Sequence, residues 1–297
     1  MSRPEHSGPA ECFYNETESR KYAQSSRMIQ IQSVIAERAL ELLNLPQGKP
    51  CLLLDVGCGT GLSGTVLAEH GHTWVGTDIS PDMLKVGSER MGLNDEGSLD
   101  EEACDGNGTG DLLHNDMGHG LGFRSGVFDG AISISAVQWL CYANKKEHIP
   151  RHRLTAFFRT LYSSLRRGAR AVIQLYPETP QQMEMITNAA MTAGFTGGVV
   201  VDYPMSAKAK KYYLTLFANR DPNERLPQGL DDGVAAGNQA GVRFEGRARG
   251  KKRKRQNEKF GKKTKDWILG KKERQRKQGK KVRNDSKYTG RKRRPRF

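Results

Sequence analysis

The sequence lacks the cysteine patterns of a secreted or metal-binding protein. Its five cysteines are an odd number and include no C-x-x-C pair. Secreted disulfide frameworks use paired cysteines, and structural zinc sites use closely spaced ones. The pattern therefore indicates reduced intracellular thiols and predicts no metal site. Seven scattered histidines do not change this interpretation.

Long apolar segments are also missing. The N-terminus has no apolar stretch of signal-peptide length, and no segment approaches the roughly 20 apolar residues of a membrane span. We therefore expect a soluble protein that stays inside the cell and has no membrane partner.

Apolar residues make up 36% of the chain, which is low for a wholly globular protein. The shortfall is uneven, because residues 243–297 hold 26 Lys and Arg against 5 Asp and Glu, a net charge of +21. The whole chain carries +15, so residues 1–242, with 22 basic and 28 acidic side chains, carry −6. A cationic tail on an ordinary domain indicates a polyanionic partner, since each neutralised phosphate releases condensed counterions.

Seven apolar, β-branched runs predict the strands of the fold. The spacers between the first five are long enough for a helix or a structured crossover, whereas the last two runs form a hairpin. Strands that alternate with helices predict an α/β, Rossmann-like, seven-stranded and mostly parallel sheet. The predicted strands are 51–56, 73–79, 111–117, 128–135, 169–176, 198–203 and 211–218.

Composition divides the chain into three parts. Residues 1–219 form the predicted α/β domain, 220–242 a polar linker, and 243–297 the basic extension. Within the domain, residues 92–110 are rich in Asp, Glu and Gly, so we expect a disordered loop there. Within the tail, an apolar trio and a run of helix formers at 267–277 predict a segment that orders on a partner.

A glycine-rich turn after the first strand predicts a nucleoside site. Gly57, Gly59 and Gly61 follow an apolar run, and Asp78 ends the next strand at the spacing that suits ribose hydroxyls. The spacing is G-x-G-x-G, not the G-x-G-x-x-G of a dinucleotide fingerprint. Asp55, just before the turn, would repel a pyrophosphate but tolerate a sulfonium cation and its amino group. The pattern favours S-adenosylmethionine as the cofactor.

Two further strand ends supply predicted cofactor contacts. Ile79 follows Asp78 directly. Asp116, after the third strand, either accepts a hydrogen bond from the adenine amine or is a turn-forming acid. Met117 would cover the adenine ring. All of these positions lie beyond the carboxyl ends of the strands, where ligands bind in such sheets.

The methyl donor and acceptor should meet after the fourth strand. Ser135, Gln138 and Trp139 lie there and are candidates for substrate positioning, and Ser135 is also a candidate cofactor contact. Trp139 is either part of the core or a platform on which a flipped base stacks. Tyr22 and Arg27 come from an N-terminal segment of the kind that folds over the cofactor, and Arg27 pairs either with the methionine carboxylate or in a surface salt bridge.

The absence of certain motifs limits the kind of atom that the protein could methylate. No Asn-Pro-Pro-Tyr type motif follows the fourth strand, and no cysteines are paired for attack on a pyrimidine carbon. A ring nitrogen with a free lone pair needs neither device, so catalysis would consist of alignment and no general base is expected. Guanine N7 fits that description.

Several motifs together resemble the eukaryotic 18S ribosomal RNA guanine-N7 methyltransferases, over nearly the whole chain. The motifs are Asp55-Val56-Gly57-Cys58-Gly59-Thr60-Gly61, Ser133-Ile134-Ser135-Ala136-Val137-Gln138-Trp139-Leu140, Gln174-Leu175-Tyr176-Pro177-Glu178, Ser206-Ala207-Lys208-Ala209-Lys210-Lys211 and the terminal residues 288–297. The first is shared by many methyltransferases, whereas the others together are specific to this family.

The resemblance implies methylation of one guanosine in 18S rRNA during biogenesis of the 40S subunit. It also implies a location in the nucleus, in both nucleolus and nucleoplasm, and allows an additional cytoplasmic location. A third implication is a stable heterodimer with a small zinc-binding activator subunit, which pairs alongside the third strand at the sheet edge, near Leu112 and Leu113. The acidic insertion after Met91 is longer than the family pattern leads us to expect.

Two other functions remain open at this stage. A small-molecule methyltransferase would have the same glycine loop, although a tail of net charge +21 has no purpose for an apolar substrate. A ribosome-assembly factor could use the cofactor pocket for stability alone. The sequence does not separate a catalyst from such a scaffold.

Overall fold

The structure is a computed structural model of the 297-residue chain and describes residues 3–92, 109–206, 209–219, 226–231, 242–244, 265–277 and 282–284. The chain divides into two compact units, Met1–Gly246 and Arg247–Phe297. The described α-helices are α1 (Ala10–Phe13), α2 (Glu16–Gln24), α3 (Ser26–Leu43), α4 (Leu62–Glu69), α5 (Pro81–Arg90), α6 (Pro150–Ser164), α7 (Pro180–Ala193) and α8 (Lys265–Lys277). In the part described, no helix combines the length and apolar character needed to cross a membrane.

The strands of the first unit form one sheet in the order β3-β2-β1-β4-β5-β7-β6-β8. Strands β1 to β5 are parallel, β7 lies antiparallel between β5 and β6, and β8 adds antiparallel to β6. The strands are β1 (Leu52–Val56), β2 (Thr73–Asp78), β3 (Gly110–His114), β4 (Phe128–Ile134), β5 (Leu165–Leu175), β6 (Thr196–Asp202), β7 (Lys211–Phe217) and β8 (Val242–Phe244). The predicted seven-stranded, mostly parallel sheet is confirmed, and the short β8 is an addition.

The strand order reverses between β1 and β4, so a crevice opens beyond their carboxyl ends. Strand β1 is apolar except for Asp55 because helices cover both faces of the sheet. Leu53 packs with Ile35 of α3, while its neighbour Leu54 packs with Phe157 of α6 on the other face. All four side chains are at most 2% exposed, and each such burial contributes about 1.5–3 kcal/mol.

Part of the predicted 220–242 linker is attached to the sheet domain. Arg38 of α3 and Asp202 of β6 form a buried ion pair with N–O distances of 3.0 and 3.2 Å. The linker adds two hydrogen bonds to this pair, because Arg38 donates to the Gln228 carbonyl and Asp202 accepts from the Leu230 amide, both at 2.8 Å. The first unit therefore ends at Gly246 instead of residue 219.

Two other predicted segments fall partly outside the description. Of the insertion predicted at 92–110, residues 93–108 lie outside the described residues. In the second unit, α8 (Lys265–Lys277) spans the segment in which helix formers follow the apolar trio, and most of the remaining basic tail lies outside the described residues. Strand β3 ends at His114, three residues earlier than predicted, because Asp116 instead caps a 3-10 turn at Met117–His119.

Candidate active site

A cleft occupies the crevice beyond the carboxyl ends of β1, β2 and β4. It holds about 1030 Å³ of empty space, including the part open to solvent, which is enough for a nucleoside-sized ligand. Its walls come from the glycine turn, the ends of β2, β3 and β4, helix α6 and the N-terminal segment. Of the residues predicted from the sequence, the walls include Gly57, Gly59, Asp78, Ile79, Asp116, Met117, Ser135, Trp139 and Tyr22.

The glycine turn is held against the end of β2. The amides of Gly57 and Cys58 both donate to the Thr77 carbonyl, at 2.7 and 3.1 Å. Gly57 has φ +75°, and a Cβ built on it would lie 2.2 Å from the Cβ of Ala136. A larger residue would therefore push apart the loops after β1 and β4. Gly61 is not part of the cleft wall and instead begins helix α4 as a left-handed N-cap.

Asp78 presents a carboxylate to the cleft from the end of β2. Oδ2 accepts from the Gly59 amide and Oδ1 from the Ser80 amide, both at 2.9 Å. A carboxylate offers about four acceptor positions, so two remain for a pair of ligand hydroxyls such as a ribose diol. Burial raises the pKa of the Asp78 carboxyl, and the hydrogen bonds from backbone amides oppose that shift.

Asp55 lies behind the cleft wall, whereas the sequence placed it at the methionine end of the ligand. Its side chain is fully buried, and Oδ2 accepts a 2.5 Å hydrogen bond from Ser63 Oγ in the first turn of α4. Ser63 itself lines the cleft. The pKa of the Asp55 carboxyl is raised to about 7, chiefly by burial and to a smaller extent by the Asp78 charge, against the lowering effect of the Ser63 hydrogen bond.

Asp116 reaches the cleft with its acceptor positions largely occupied. Arg153 Nη2 of α6 donates to both carboxylate oxygens, at 2.6 and 2.8 Å. The Gly118 amide donates to Oδ1 at 2.8 Å, and His119 Nδ1 lies 3.1 Å from Oδ2. An adenine amine would have to share this carboxylate with Arg153. No local pattern in the sequence indicated Arg153, which lies 37 residues further along the chain.

The residues after β4 form the wall opposite the glycine turn. Trp139 is 9% exposed and lines the cleft, with its ring centroid 6.2 Å from that of Phe13 and 5.9 Å from that of Tyr14. Gln138 does not line the cleft but donates from Nε2 to the Ser135 carbonyl at 2.8 Å. Gln138 therefore supports the wall, while Ser135 and Trp139 form its surface.

The N-terminal segment closes one side of the cleft. Tyr14 and Tyr22 both line it, and burial raises the pKa of Tyr22 to about 12. Ser80 Oγ donates to the Tyr14 carbonyl at 2.7 Å, which ties the segment to the end of β2. Glu11 also lines the cleft and pairs with Lys145 at 2.5 Å. Arg27 is exposed and off the cleft wall, which favours the surface position over the contact with the methionine carboxylate, the two alternatives that the sequence left open.

The walls fit S-adenosylmethionine. Asp78 offers free acceptor positions for a ribose, the glycine turn lets the backbone approach a ligand closely, and Ile79 and Met83 supply apolar surface for a purine. Asp78, when ionised, makes this end of the cleft better suited to a cation than to a pyrophosphate. Fold and site together define a Rossmann-like, S-adenosylmethionine-dependent methyltransferase.

Comparison with known proteins agrees with this class. A family model described as "Methyltransferase domain" matches residues 54–173, and one described as "Methyltransferase involved in Williams-Beuren syndrome" matches residues 216–295. Among solved structures, a candidate S-adenosylmethionine-dependent methyltransferase from Methanococcus maripaludis superposes with a TM-score of 0.51 at 12% identity, covering 71% of this chain and 96% of that one. This last likeness shows the fold alone.

Relatives along the full length identify the family. The 18S rRNA (guanine-N7)-methyltransferase of Mus musculus is 56% identical over 99% of this chain and 98% of its own. The Arabidopsis thaliana enzyme of the same name is 49% identical over 100% and 99%. The Saccharomyces cerevisiae 18S rRNA (guanine(1575)-N7)-methyltransferase is 46% identical over the whole of both chains. The chain belongs to the 18S rRNA (guanine-N7)-methyltransferase family.

Proposed function

We propose that this protein transfers the methyl group of S-adenosylmethionine to N7 of a guanosine in 18S rRNA during small-subunit biogenesis. The observation that carries the proposal is the agreement along the whole chain with relatives of that named activity, at 44–56% identity. The small-molecule alternative gains no support from these relatives.

The arrangement of the cleft explains how such a reaction proceeds without a general base. S-adenosylmethionine, when held by Asp78 and the glycine turn, would supply an electrophilic methyl group, and guanine N7 would need to lose no proton before accepting it. Asp78 and the glycine turn fix the donor end, while Ser135 and Trp139 form the opposite wall, where the base would lie. Holding the reacting atoms in line replaces proton transfer as the source of rate.

Mass spectrometry of 18S rRNA tests the substrate and the methylated atom together. Cells that lack the protein should lose one 7-methylguanosine, and the wild-type gene should restore it. A gene encoding Asp78→Ala should not restore it, since that variant loses the ribose acceptor. An unchanged 7-methylguanosine content in cells without the protein would contradict the proposal. If the Asp78→Ala gene restores subunit maturation but not the methyl group, the protein also acts as a scaffold.

The partner subunit is a further part of the proposal. A small zinc-binding activator would pair alongside β3, which forms one edge of the sheet. An edge strand needs covering, and the Leu113 side chain on β3 is 45% exposed, which supports an apolar partner there. Leu113→Glu should abolish co-purification of a zinc-containing subunit. Val34→Glu is the matched control, because Val34 is 64% exposed but lies on α3. Equal recovery of zinc with both variants would contradict this interface.

The basic tail is proposed to contact the RNA backbone. Its net charge of +21 from residue 243 onward supports a phosphate partner. A chain ending at Gly246 keeps β8 and should bind 18S rRNA more weakly, with a flatter dependence of affinity on salt. Its affinity for S-adenosylmethionine should be unchanged. Equal salt slopes for the two chains would refute a role of the tail in RNA binding.

The same tail supports a nuclear and nucleolar location. It contains two like-charge runs, Lys251-Lys252-Arg253-Lys254-Arg255 and Arg291-Lys292-Arg293-Arg294. Such runs are read by import receptors and bind nucleic acid. A fluorescent fusion of the full chain should concentrate in the nucleolus, while a fusion ending at Gly246 should not. Identical distributions of the two fusions would contradict the proposal.

A further inference from the structure

Ser135 adopts a backbone conformation that is unusual for a serine. Its φ is +57°, in the left-handed region that residues with a Cβ rarely enter. The described non-glycine residues with positive φ are Asn44, Ser135, Tyr203 and Asn219, and of these Ser135 lines the cleft. A strained residue in a cleft wall persists only when its surroundings hold it in place.

One buried residue supplies most of that restraint. The Ser135 amide donates to the Gln174 carbonyl at 3.0 Å, and Ser135 Oγ donates to Gln174 Oε1 at 2.7 Å. Gln174 therefore binds both the backbone and the side chain of the same serine. Gln138 adds a third bond, from Nε2 to the Ser135 carbonyl at 2.8 Å.

Gln174 itself is placed to act through Ser135, not on a ligand. It lies in β5 opposite Ile134 of β4 and Tyr213 of β7, is 0% exposed, and does not line the cleft. A buried amide carries a desolvation cost unless its polar atoms are paired. Among the described residues Gln174 Nε2 has no partner, so the side chain contributes one hydrogen bond, the one to Ser135 Oγ.

The conformation of Ser135 sets the course of the loop that follows. Ala136 comes next, and its Cβ lies 2.2 Å from the position where Gly57 would carry one, so this loop rests on the cofactor turn. Trp139 follows in the same loop and forms the wall opposite that turn. A displacement of about 1 Å in such a wall can cost two orders of magnitude in rate, because the reacting atoms leave their alignment.

We infer that Gln174 is a positioning residue for methyl transfer: it locks Ser135 in the left-handed conformation and so fixes the acceptor wall against the cofactor. The inference rests on the proposed rRNA methyltransferase function. It predicts that the Ser135 hydroxyl acts as an anchor to Gln174, so the anchor becomes dispensable when residue 135 adopts positive φ without strain.

Four variants form a cycle that tests this role: Gln174→Met, Ser135→Ala, Ser135→Gly, and Gln174→Met combined with Ser135→Gly. Methionine keeps a similar volume without a hydrogen-bond acceptor. Alanine at 135 loses the hydroxyl and keeps the Cβ, whereas glycine loses both and tolerates positive φ. Gln174→Met and Ser135→Ala should each slow transfer about tenfold, and Ser135→Gly about threefold or less. When residue 135 is already glycine, Gln174→Met should slow transfer by less than about a further twofold.

The rate is measured in a single turnover on small ribosomal subunits that lack the methyl group, with saturating cofactor and the activator subunit present. Affinity for S-adenosylmethionine, measured by calorimetry, should stay within about twofold in all four variants, since Asp78 and the glycine turn are untouched. A merely structural role of Gln174 would slow both backgrounds equally, and that result overturns the inference. Equal losses in Ser135→Ala and Ser135→Gly also overturn it, because the hydroxyl would then act on the substrate directly.

The two serine variants both keep the Gln174 side chain and both remove its hydrogen bond to residue 135, so their comparison decides the question if Gln174→Met yields no folded protein. An inactive wild-type chain would remove the proposed function and this inference with it. If the wild-type chain is active but Gln174→Met slows transfer equally with serine and with glycine at position 135, the inference alone is refuted.

Discussion

Replacing Asp55 by asparagine tests the electrostatics at the end of β1. The carboxyl is fully buried, and burial raises its pKa from 3.8 to about 7. Asparagine keeps the shape of the side chain and can still accept the hydrogen bond from Ser63 Oγ, which is 2.5 Å long in the wild type. The substitution therefore removes the ionisation while leaving the packing in place.

The sign of the effect follows from proton binding. Below pH 3.8 the carboxyl is protonated in both folded and unfolded chains and does not affect stability. Between pH 3.8 and about 7 the folded chain keeps a proton that the unfolded chain has lost, so rising pH favours unfolding. Above about pH 7 the full difference applies, about 4 kcal/mol. From pH 5 to pH 8, the wild type should lose about 3 kcal/mol more than Asp55→Asn.

Urea unfolding followed by circular dichroism at pH 5, 6, 7 and 8, without cofactor, measures this difference. Asp111→Asn is the matched control, because Asp111 is exposed on β3. Its stability should follow that of the wild type at every pH. If the wild type and Asp55→Asn stay parallel from pH 5 to pH 8, the carboxyl ionises normally and the account of a buried, unpaired charge is wrong.

Two further substitutions probe the cofactor side of the cleft and one probes the acceptor side. Gly57→Ala should lower the free energy of unfolding by more than about 2 kcal/mol, measured by thermal unfolding, because the new Cβ would lie 2.2 Å from that of Ala136. The control is Gly48→Ala, which has φ +68° but open space around the new Cβ and should lower it by only about 1 kcal/mol. Equal costs would contradict the close approach. Asp78→Ala should weaken S-adenosylmethionine binding about 100-fold in calorimetry, and wild-type affinity would refute its role. Trp139→Ala should slow methyl transfer about tenfold with unchanged cofactor affinity; a parallel loss of both would contradict placement on the acceptor side.

Most of the sheet could be predicted because its signals are local. Each buried strand is a short apolar run between turn residues, and helix-length spacers predict parallel crossovers. Strand β8 could not be predicted, since a run of three residues has no measurable periodicity and pairs only because β6 offers a free edge. The attachment of Gln228 and Leu230 was equally hidden, because it depends on an ion pair between Arg38 and Asp202, 164 residues apart.

Positions in the cleft were predictable where the backbone itself fixes them. Gly57 and Asp78 end neighbouring parallel strands, so topology alone brings them together. The direction in which a side chain points was not predictable in the same way. Asp55 comes from the same motif, yet its carboxyl points to Ser63 of α4 and not into the cleft. Arg27, for which the sequence left both the methionine carboxylate and a surface position open, lies on helix α3 with its side chain exposed to solvent.

Apart from Tyr22, the cleft residues contributed by distant elements were not predicted. Tyr14 and Glu11 line the cleft from the N-terminal segment, and Arg153 does so from α6. Each is brought in by a tertiary contact, such as Ser80 Oγ to the Tyr14 carbonyl. The aromatic pair Phe13-Tyr14 was the one signal in the sequence that could have indicated this wall.

The different partners of the acidic side chains around the cleft explain why it suits a sulfonium ligand. Asp116 is neutralised by Arg153 at 2.6 Å. In the described part of the chain, Asp55 and Asp78 have no lysine or arginine at ion-pair distance and are held by a hydroxyl and by backbone amides. Asp78, when ionised, therefore makes the region beside the glycine turn negative, while the ion pair with Arg153 leaves the Asp116 end close to neutral. A cationic centre gains from that gradient and a pyrophosphate would lose, so the order of glycines and the placement of acids lead to the same ligand class.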